Sequence, residues 1–390
     1  GTAMRLLVAV SFIHGIKEAF AECFFDPLGV TGGDFHTCGF SEGGEVKCRG
    51  SNHGCALGLG LPSGAVLPSS GGPIPAKYPP VNLGAGHYVV ELALSGMSAC
   101  ARFYGGGVKC WGMNKFGQLG RGNTLPVGCD ADEMGDNLAE VDLCAPRKAT
   151  QLALGKNFSC ALLDNGGVRC WGDNLRGQLG TEDAPEIRGD DPGEMGCQNP
   201  EINFGAGRSA VQIAAGMEHA CAVLDTGDLK CWGEGGSGQL GVGDSAVRGA
   251  VAGTMGDNLA PVDLGAGRKV ASVAAGGKAT CAILDNGGVK CWGSGAAIGS
   301  GDGATAIGNA PGQMGDNLAE VDLCTASKAV ELTMGDWHVC ARFDDHAVKC
   351  WGDNKFAQLA VGDTDDRGAG PGEMGCALPG VKSCDRPILA

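Results

Sequence analysis

Along CALLDNGGVRCWGDNLRGQLG, residues 160 to 180, two runs of apolar and β-favouring residues flank the polar turn triplet Asp164, Asn165 and Gly166. This pattern predicts two short strands joined by a three-residue turn, whose last residue takes positive φ and is normally glycine. The pattern returns from Cys38, Cys100, Cys221, Cys281 and Cys340. The first cysteines of successive copies are 62, 60, 61, 60 and 59 residues apart, a period that marks an array of one repeated unit. The third turn position is Gly44, Gly106, Gly166, Gly227 or Gly287, with His346 in the last copy, one of the better tolerated non-glycines at positive φ. No heptad or sustained 3.6-residue pattern runs through the repeats, so the chain reads as many short strands joined by tight turns, an all-β array.

With the turn at 164 to 166, Leu163 faces Gly167, and counting outward places Cys160 opposite Cys170. If the first pair is hydrogen-bonded the cysteines form a non-hydrogen-bonded pair, with Cα atoms roughly 4.5 Å apart, at the close end of what a disulfide accepts. The spacing predicts cross-strand staples Cys38 with Cys48, Cys100 with Cys110, Cys160 with Cys170, Cys221 with Cys231, Cys281 with Cys291 and Cys340 with Cys350. Metal binding is the alternative for the 20 cysteines, but there is no Cys-x-x-Cys and none of the seven histidines accompanies every pair. Disulfides imply an oxidising compartment. The other eight are Cys23, Cys55, Cys129, Cys144, Cys197, Cys324, Cys376 and Cys384. Cys376 with Cys384 and Cys129 with Cys144 are plausible local bridges, and sequence alone does not choose among the remaining pairings.

Composition changes the picture only in part. A length of 390 with 43% hydrophobic residues permits a large core, while 71 glycines and 5% aromatics fit tight turns over bulky packing. The net charge of -15, without a Lys/Arg-rich run, speaks against a nucleic-acid partner. Residues 4 to 21, MRLLVAVSFIHGIKEAFA, have the form of a secretory signal, read here as retained structure; the stretch is too short and too charged to span a membrane. The chain divides into an N-terminal segment, 1–27, signal-like or blade-completing, and a repeat domain, 28–390.

The unit CALLDNGGVRCWGDNLRGQLG, preceded by LALGKNFS and followed by an acidic glycine-rich loop and MGDN, resembles the repeat of the regulator of chromosome condensation family. Gly-Gln-Leu-Gly at 117 to 120, 177 to 180 and 238 to 241 makes the resemblance specific, and it covers roughly residues 28 to 390. It implies a β-propeller of four-stranded antiparallel blades. Repeats here are longer than is usual for the family and stapled in every blade, like its secreted or cell-surface members. No residue of the founding member's exchange surface carries over. The family commonly closes seven blades and six are recognisable, so a seventh is completed either by the termini, with RPILA at 386 to 390 starting its innermost strand, or by a neighbouring chain.

Trp111, Trp171, Trp232, Trp292 and Trp351 follow the second cysteine, with Arg49 in the remaining copy. A glycan platform is one reading of such a row; packing between blades explains the fixed strand position more simply. Trp337, outside the series, is the better surface candidate. Acidic connections such as 361 to 375 and 186 to 196 offer a calcium ion Asp363, Asp365 and Asp366, though without EF-hand spacing, and the same residues suit turns, as do the MGDN segments. No resident cofactor is otherwise expected. Asn157 begins the sole Asn-x-Ser sequon, a glycosylation candidate, and 61 to 80 reads as a Pro/Ser/Gly-rich surface loop. Enzyme motifs are missing, and His36, His219 and His338 recur before the first cysteine, which suits a structural role better than a catalytic one needed once. The expectation is a non-enzymatic, extracellular, disulfide-stapled propeller that binds proteins, including copies of itself in a surface fibre or coat. The alternatives are a guanine-nucleotide exchange or chromatin-associated regulator, and an inhibitor or binder of a secreted enzyme or glycan.

Overall fold

A computed structural model describes residues 27–33, 35–67, 79–182, 187–301 and 306–381. The signal-like stretch 4–21, Cys23, Cys384 and 386–390 lie outside them. Six antiparallel sheets follow one another along the chain. The first holds β1 (Pro27–Gly32), β2 (His36–Ser41), β3 (Val46–Ser51) and β4 (Val66–Leu67). The second holds β5 (Val89–Ser95), β6 (Ser98–Phe103) and β7 (Val108–Gly112). The third holds β8 (Ala149–Leu154), β9 (Phe158–Leu163), β10 (Val168–Asp173) and β11 (Ile187–Arg188). The fourth holds β12 (Ala210–Ala215), β13 (His219–Leu224) and β14 (Leu229–Gly233). The fifth holds β15 (Val270–Gly276), β16 (Ala279–Leu284), β17 (Val289–Ser294) and β18 (Ala306–Ile307), and the sixth β19 (Ala329–Met334), β20 (His338–Phe343) and β21 (Val348–Gly352).

Three blades therefore have the four strands the resemblance implies. In the other three the outermost strand shrinks to a single bridge, Gly112 with Val127, Gly233 with Arg248 and Gly352 with Arg367. The reason is local: the residues that reach the outer edge at Val127, Arg248 and Arg367 lie between bends on both sides, so each pairs once before the chain turns away.

The hairpins obey the turn arithmetic. Leu163 N–H donates to Gly167 O at 2.8 Å, and Cys160 pairs directly with Cys170. The third turn residue has positive φ in all six copies, 69° at His346 and 77° to 87° at the glycines.

First strands of successive blades pack on one another, β1 on β5, β5 on β8, β8 on β12, β12 on β15 and β15 on β19. Among the described residues no contact of comparable extent joins β19 to β1, so one side of the array is open. Each blade hands the chain on through one repeated bond: Val81, Val141, Ile202, Val262, Val321 and Val381 each donate to the carbonyl of the first residue of a third strand, Val46, Val108, Val168, Leu229, Val289 and Val348, at 2.7 to 2.9 Å. Buried lysines lock the same connections. Lys109 Nζ, for example, donates to Leu83 O and Gly135 O at 2.8 and 2.9 Å, and Lys230, Lys290 and Lys349 repeat the clamp. Burial pushes the Lys109 and Lys230 ammonium groups below the usual lysine range, and the carbonyls supply what water no longer does.

Candidate interaction surface and disulfide framework

The five tryptophans are fully buried, at 0% exposure. Each indole N–H reaches back to the preceding blade, Trp111 to Ala56 O, Trp171 to Gln118 O, Trp232 to Gln178 O, Trp292 to Gln239 O and Trp351 to Ala297 O, at 2.9 to 3.1 Å. They are mortar between blades, and the row is no platform. Inner strands add a second ladder. Leu152 N–H donates to Glu91 Oε1, Ile213 N–H to Gln151 Oε1 and Val273 N–H to Gln212 Oε1, at 2.9 to 3.0 Å. Burial pushes the Glu91 carboxyl above the usual range, with Arg102 at 2.6 Å holding it back.

The recurrent histidines are structural in the same sense. His219 Nε2 lies 2.9 Å from Thr280 Oγ1 in the next blade, and Thr280 Oγ1 donates to Gln239 O. Each ring also covers a glycine, since a Cβ on Gly33, Gly216 or Gly335 would fall within 2.4 Å of His36, His219 or His338. Burial lowers His36 and His219 to about 4, and lowers His338 as well.

The structure joins all six ten-apart pairs, Cys38–Cys48, Cys100–Cys110, Cys160–Cys170, Cys221–Cys231, Cys281–Cys291 and Cys340–Cys350, with Cα atoms 4.0 to 4.1 Å apart. The two local bridges suggested by sequence are corrected. Cys129 bonds Cys55, Cys144 bonds Cys197 and Cys376 bonds Cys324, with Cα separations of 4.9, 4.6 and 4.9 Å. Short sequence separation misled because the fold stacks each connection on the one a blade earlier, not on itself.

These long-range bridges replace a different interaction. In three blades the position of Cys144 and Cys324 is glycine, Gly84, Gly205 or Gly265, and that of Cys197 and Cys376 is aspartate, Asp136, Asp257 or Asp316. There the aspartate Oδ1 accepts the N–H of the residue after the glycine, Ala85, Ala206 or Ala266, at 3.1 to 3.3 Å. A Cβ on the glycine would lie 2.3 to 2.7 Å from that Oδ1. A lone cysteine cannot enter beside the aspartate, so the site accepts Gly with Asp or Cys with Cys. The swap is invisible to spacing rules, although comparing MGC at 195 to 197 and 374 to 376 with the MGDN copies carries its trace.

Carboxylates of the acidic connections serve the loops. Glu133 Oε2 accepts the N–H groups of Gly128, Cys129 and Asp130, and Glu373 Oε2 those of Gly368, Ala369 and Gly370. The calcium candidates do not converge. Asp363 takes Arg367 on both oxygens at 2.9 and 2.7 Å, which holds its carboxyl at about 2. Asp366 Oδ1 accepts Asn354 N–H, and Asp365 donates its own N–H to Asp363. The MGDN segments form 3-10 turns at Gly135–Asn137, Gly256–Asn258 and Gly315–Asn317. Asn157 is half-buried at a tip between β8 and β9, its carbonyl accepting Asp173 N–H. Among the described residues no three His, Cys, Asp or Glu side chains gather as a metal site, and no helix is long and apolar enough to cross a membrane.

Exposed apolar side chains are spread along the array, among them Tyr104, Leu125, Leu175 and Val251, and three aromatics lie in its first and last blades. Trp337 and Phe35 stand at the same hairpin position of the sixth and first blades, 43% and 61% exposed, and Phe356 is 88% exposed. The loop NKFGQL at 114 to 119 is nearly the loop NKFAQL at 354 to 359, yet Phe116 is half-buried while Phe356 stands free of cover. The difference is position: a further blade follows the second and none follows the sixth among the described residues.

The regulator of chromosome condensation (RCC1) repeat matches residues 149–178, 210–239, 270–297 and 329–358, and a second form of it matches 226–283. The chain is 30% identical over 295 residues to the ultraviolet-B receptor UVR8 of Arabidopsis thaliana, covering 74% of this chain and 56% of the receptor. It thus spans about half the length of that relative. In fold it is similar to Prp20p from Saccharomyces cerevisiae (TM-score 0.66, 21% identity, 92% of this chain and 77% of that one) and to human WBSCR16 (TM-score 0.65, 21% identity, 88% and 79%). By its repeats and its blades, the chain is a member of the RCC1 repeat family.

Proposed function

We propose that this propeller works outside the reducing cytosol as a non-enzymatic module that binds other proteins through its loops and its open blade edges. The observation that supports an oxidising compartment is the paired exchange of Gly84 and Asp136 chemistry for Cys144 and Cys197 chemistry. Among the described residues cysteine enters these positions only as couples that bond, which a reducing compartment would not favour. The exposed Trp337, Phe35 and Phe356 suit a protein partner, because aromatic anchors dominate such interfaces. The chain's copies are one such partner, since each carries the same two open ends.

A second reading, an intracellular regulator, is supported by the likeness to Prp20p, which binds Gsp1p and histones. Thiol titration of the protein as isolated from its source separates the two. Bridged cysteines with capture of an extracellular protein support the first reading; free thiols throughout would sink it and favour the second.

A further inference from the structure

One bond recurs at the turn end of the second to sixth blades. The first residue of the turn between the second and third strands donates its N–H to the carbonyl just before the blade's first strand: Tyr104 to Tyr88, Asp164 to Lys148, Asp225 to Ser209, Asp285 to Lys269 and Asp344 to Lys328, at 2.9 to 3.0 Å. That bond sets the equivalences, and the second blade departs from them at three linked positions. Tyr104 stands where the others have aspartate, His87 where three have Arg147, Arg208 or Arg268, and Gly105 where two have Asn165 or Asn286.

In the third and fifth blades these residues satisfy one another. Arg147 pairs with Asp164 at 3.5 Å and Arg268 with Asp285 at 3.2 Å. The asparagine Nδ2 donates to Glu201 or Glu320, at 3.2 and 3.1 Å. The second blade keeps that carboxylate as Glu140, one residue before Val141 just as Glu201 precedes Ile202. Gly105 offers it no side-chain donor, and His87 Nδ1 stands 3.9 Å away. Glu140 lies against Gly107, at the end of the same turn, where a Cβ would clash with its carboxylate. The turn itself has no need of aromatic rings, since four blades close it with aspartate. Yet Tyr104 is 74% exposed and Tyr88 43%, and they are two of the chain's three tyrosines. Tyr88 is held in place, its ring on Gly44 and its hydroxyl donating to Glu42 O in the first blade. This end of the strands is opposite to the tips that carry Phe35 and Trp337.

We propose that Tyr88, Tyr104 and Glu140 form a docking site for an arginine side chain of a partner protein. The blade has lost its own arginine and kept a half-exposed carboxylate beside two ring faces. A guanidinium suits both, because it stacks on an aromatic face and forks to a carboxylate. The cations bordering the site leave it open: Lys47 turns to Glu45 at 3.5 Å, and Lys148 lays its stem on Gly106. The inference deepens the protein-binding reading and rests on it, but it needs neither the open blade edges nor a particular compartment.

The test replaces the chain's tyrosines with fluorotyrosine and follows their fluorine NMR signals, assigned through Tyr88→Phe and Tyr104→Phe. The probe is the peptide acetyl-Gly-Arg-Gly-Arg-Gly-amide, added to about 10 mM so that weak contacts register. The Tyr88 and Tyr104 signals are expected to shift with this peptide and to stay in place with its glutamate counterpart. Tyr104→Asp with Gly105→Asn carries the third blade's own turn, and Glu140→Gln leaves the turn untouched. Each is expected to weaken binding about tenfold, read from the Tyr88 signal. Non-specific attraction to a chain of net charge -15 predicts the reverse for the added aspartate, and tighter binding there would overturn the proposal. So would the absence of any shift with the arginine peptide, which would leave binding at the open edges standing. Shifts that appear on concentrating the chain without peptide would assign the surface to a second copy instead. Shifts with cellohexaose in place of the peptide would overturn the protein-binding reading of this surface, and the proposal with it.

Discussion

At the residue scale, Trp171 does two jobs that substitutions separate. Its ring fills the seam between the second and third blades, and its N–H satisfies Gln118 O at 2.9 Å. Trp171→Phe keeps most of the apolar contact and removes one of two donors to the carbonyl, Ser159 Oγ remaining at 2.9 Å, a loss of about 0.5–1.5 kcal/mol. Trp171→Ala also opens a cavity and is expected to cost about 3–5 kcal/mol, both read by denaturant unfolding. The buried histidines set a pH dependence whose sign follows from their lowered pKa. A histidine in the unfolded chain titrates near 6.5, whereas His36 and His219 hold out to about 4. Between those values the unfolded chain binds more protons, so stability falls as pH drops from about 7 toward 4 and levels off below. The full effect is on the order of 3 kcal/mol for each buried ring. Glu91, its carboxyl raised, acts in the opposite direction near the lower end. Thermal unfolding across pH is expected to flatten in His219→Asn; an unchanged slope would remove this account.

At the scale of the element, the connection between blades accepts one of two matched couples. Gly84 sits at φ 93° against Asp136, while Cys144 sits at φ 69° against Cys197. Gly84→Cys alone meets the Asp136 carboxylate and takes a left-handed backbone that only glycine adopts freely, so a loss of about 1–3 kcal/mol is expected. Gly84→Cys with Asp136→Cys is expected to form a new bridge and raise the melting temperature above that of the single variant by several degrees, because closing a loop of this length restrains the unfolded chain by up to about 4 kcal/mol. A double variant with two free thiols would show that the couples are not interchangeable.

For the whole molecule, burial decides the order in which bridges open. The hairpin cysteines are at most 4% exposed, whereas Cys197, Cys324 and Cys376 are exposed. Reduction requires the attacking thiolate to reach sulfur. Graded dithiothreitol followed by alkylation and mass mapping should therefore open Cys144–Cys197 and Cys324–Cys376 first and the hairpin staples last; the reverse order would contradict the packing. The open side supplies a matched control of its own. Phe116→Ser removes a half-buried ring and is expected to cost about 1–3 kcal/mol, while Phe356→Ser should change stability by less than about 0.5 kcal/mol and instead weaken partner capture.

How much of this was legible follows from the range of the interactions. The period near 60, the turn glycines and the ten-residue cysteine spacing are local, so the hairpins and the opposition of Cys160 to Cys170 could be counted from the chain alone. The burial of the tryptophans was legible for a related reason, because a residue repeated at one strand position must meet one environment. The pairing of Cys55, Cys129, Cys144, Cys197, Cys324 and Cys376 was not, since it depends on which connection is stacked on which, and sequence distance says nothing of that. The shrinking of alternate outer strands to single bridges, and the exposure of Phe356 where Phe116 is covered, were likewise decided by neighbours in space. The sequence by itself determined the repeated hairpin, through backbone geometry and turn chemistry that act over a few residues. Only the tertiary structure decided how those hairpins meet, because the contacts between blades join residues some sixty positions apart whose proximity exists only once the chain has folded.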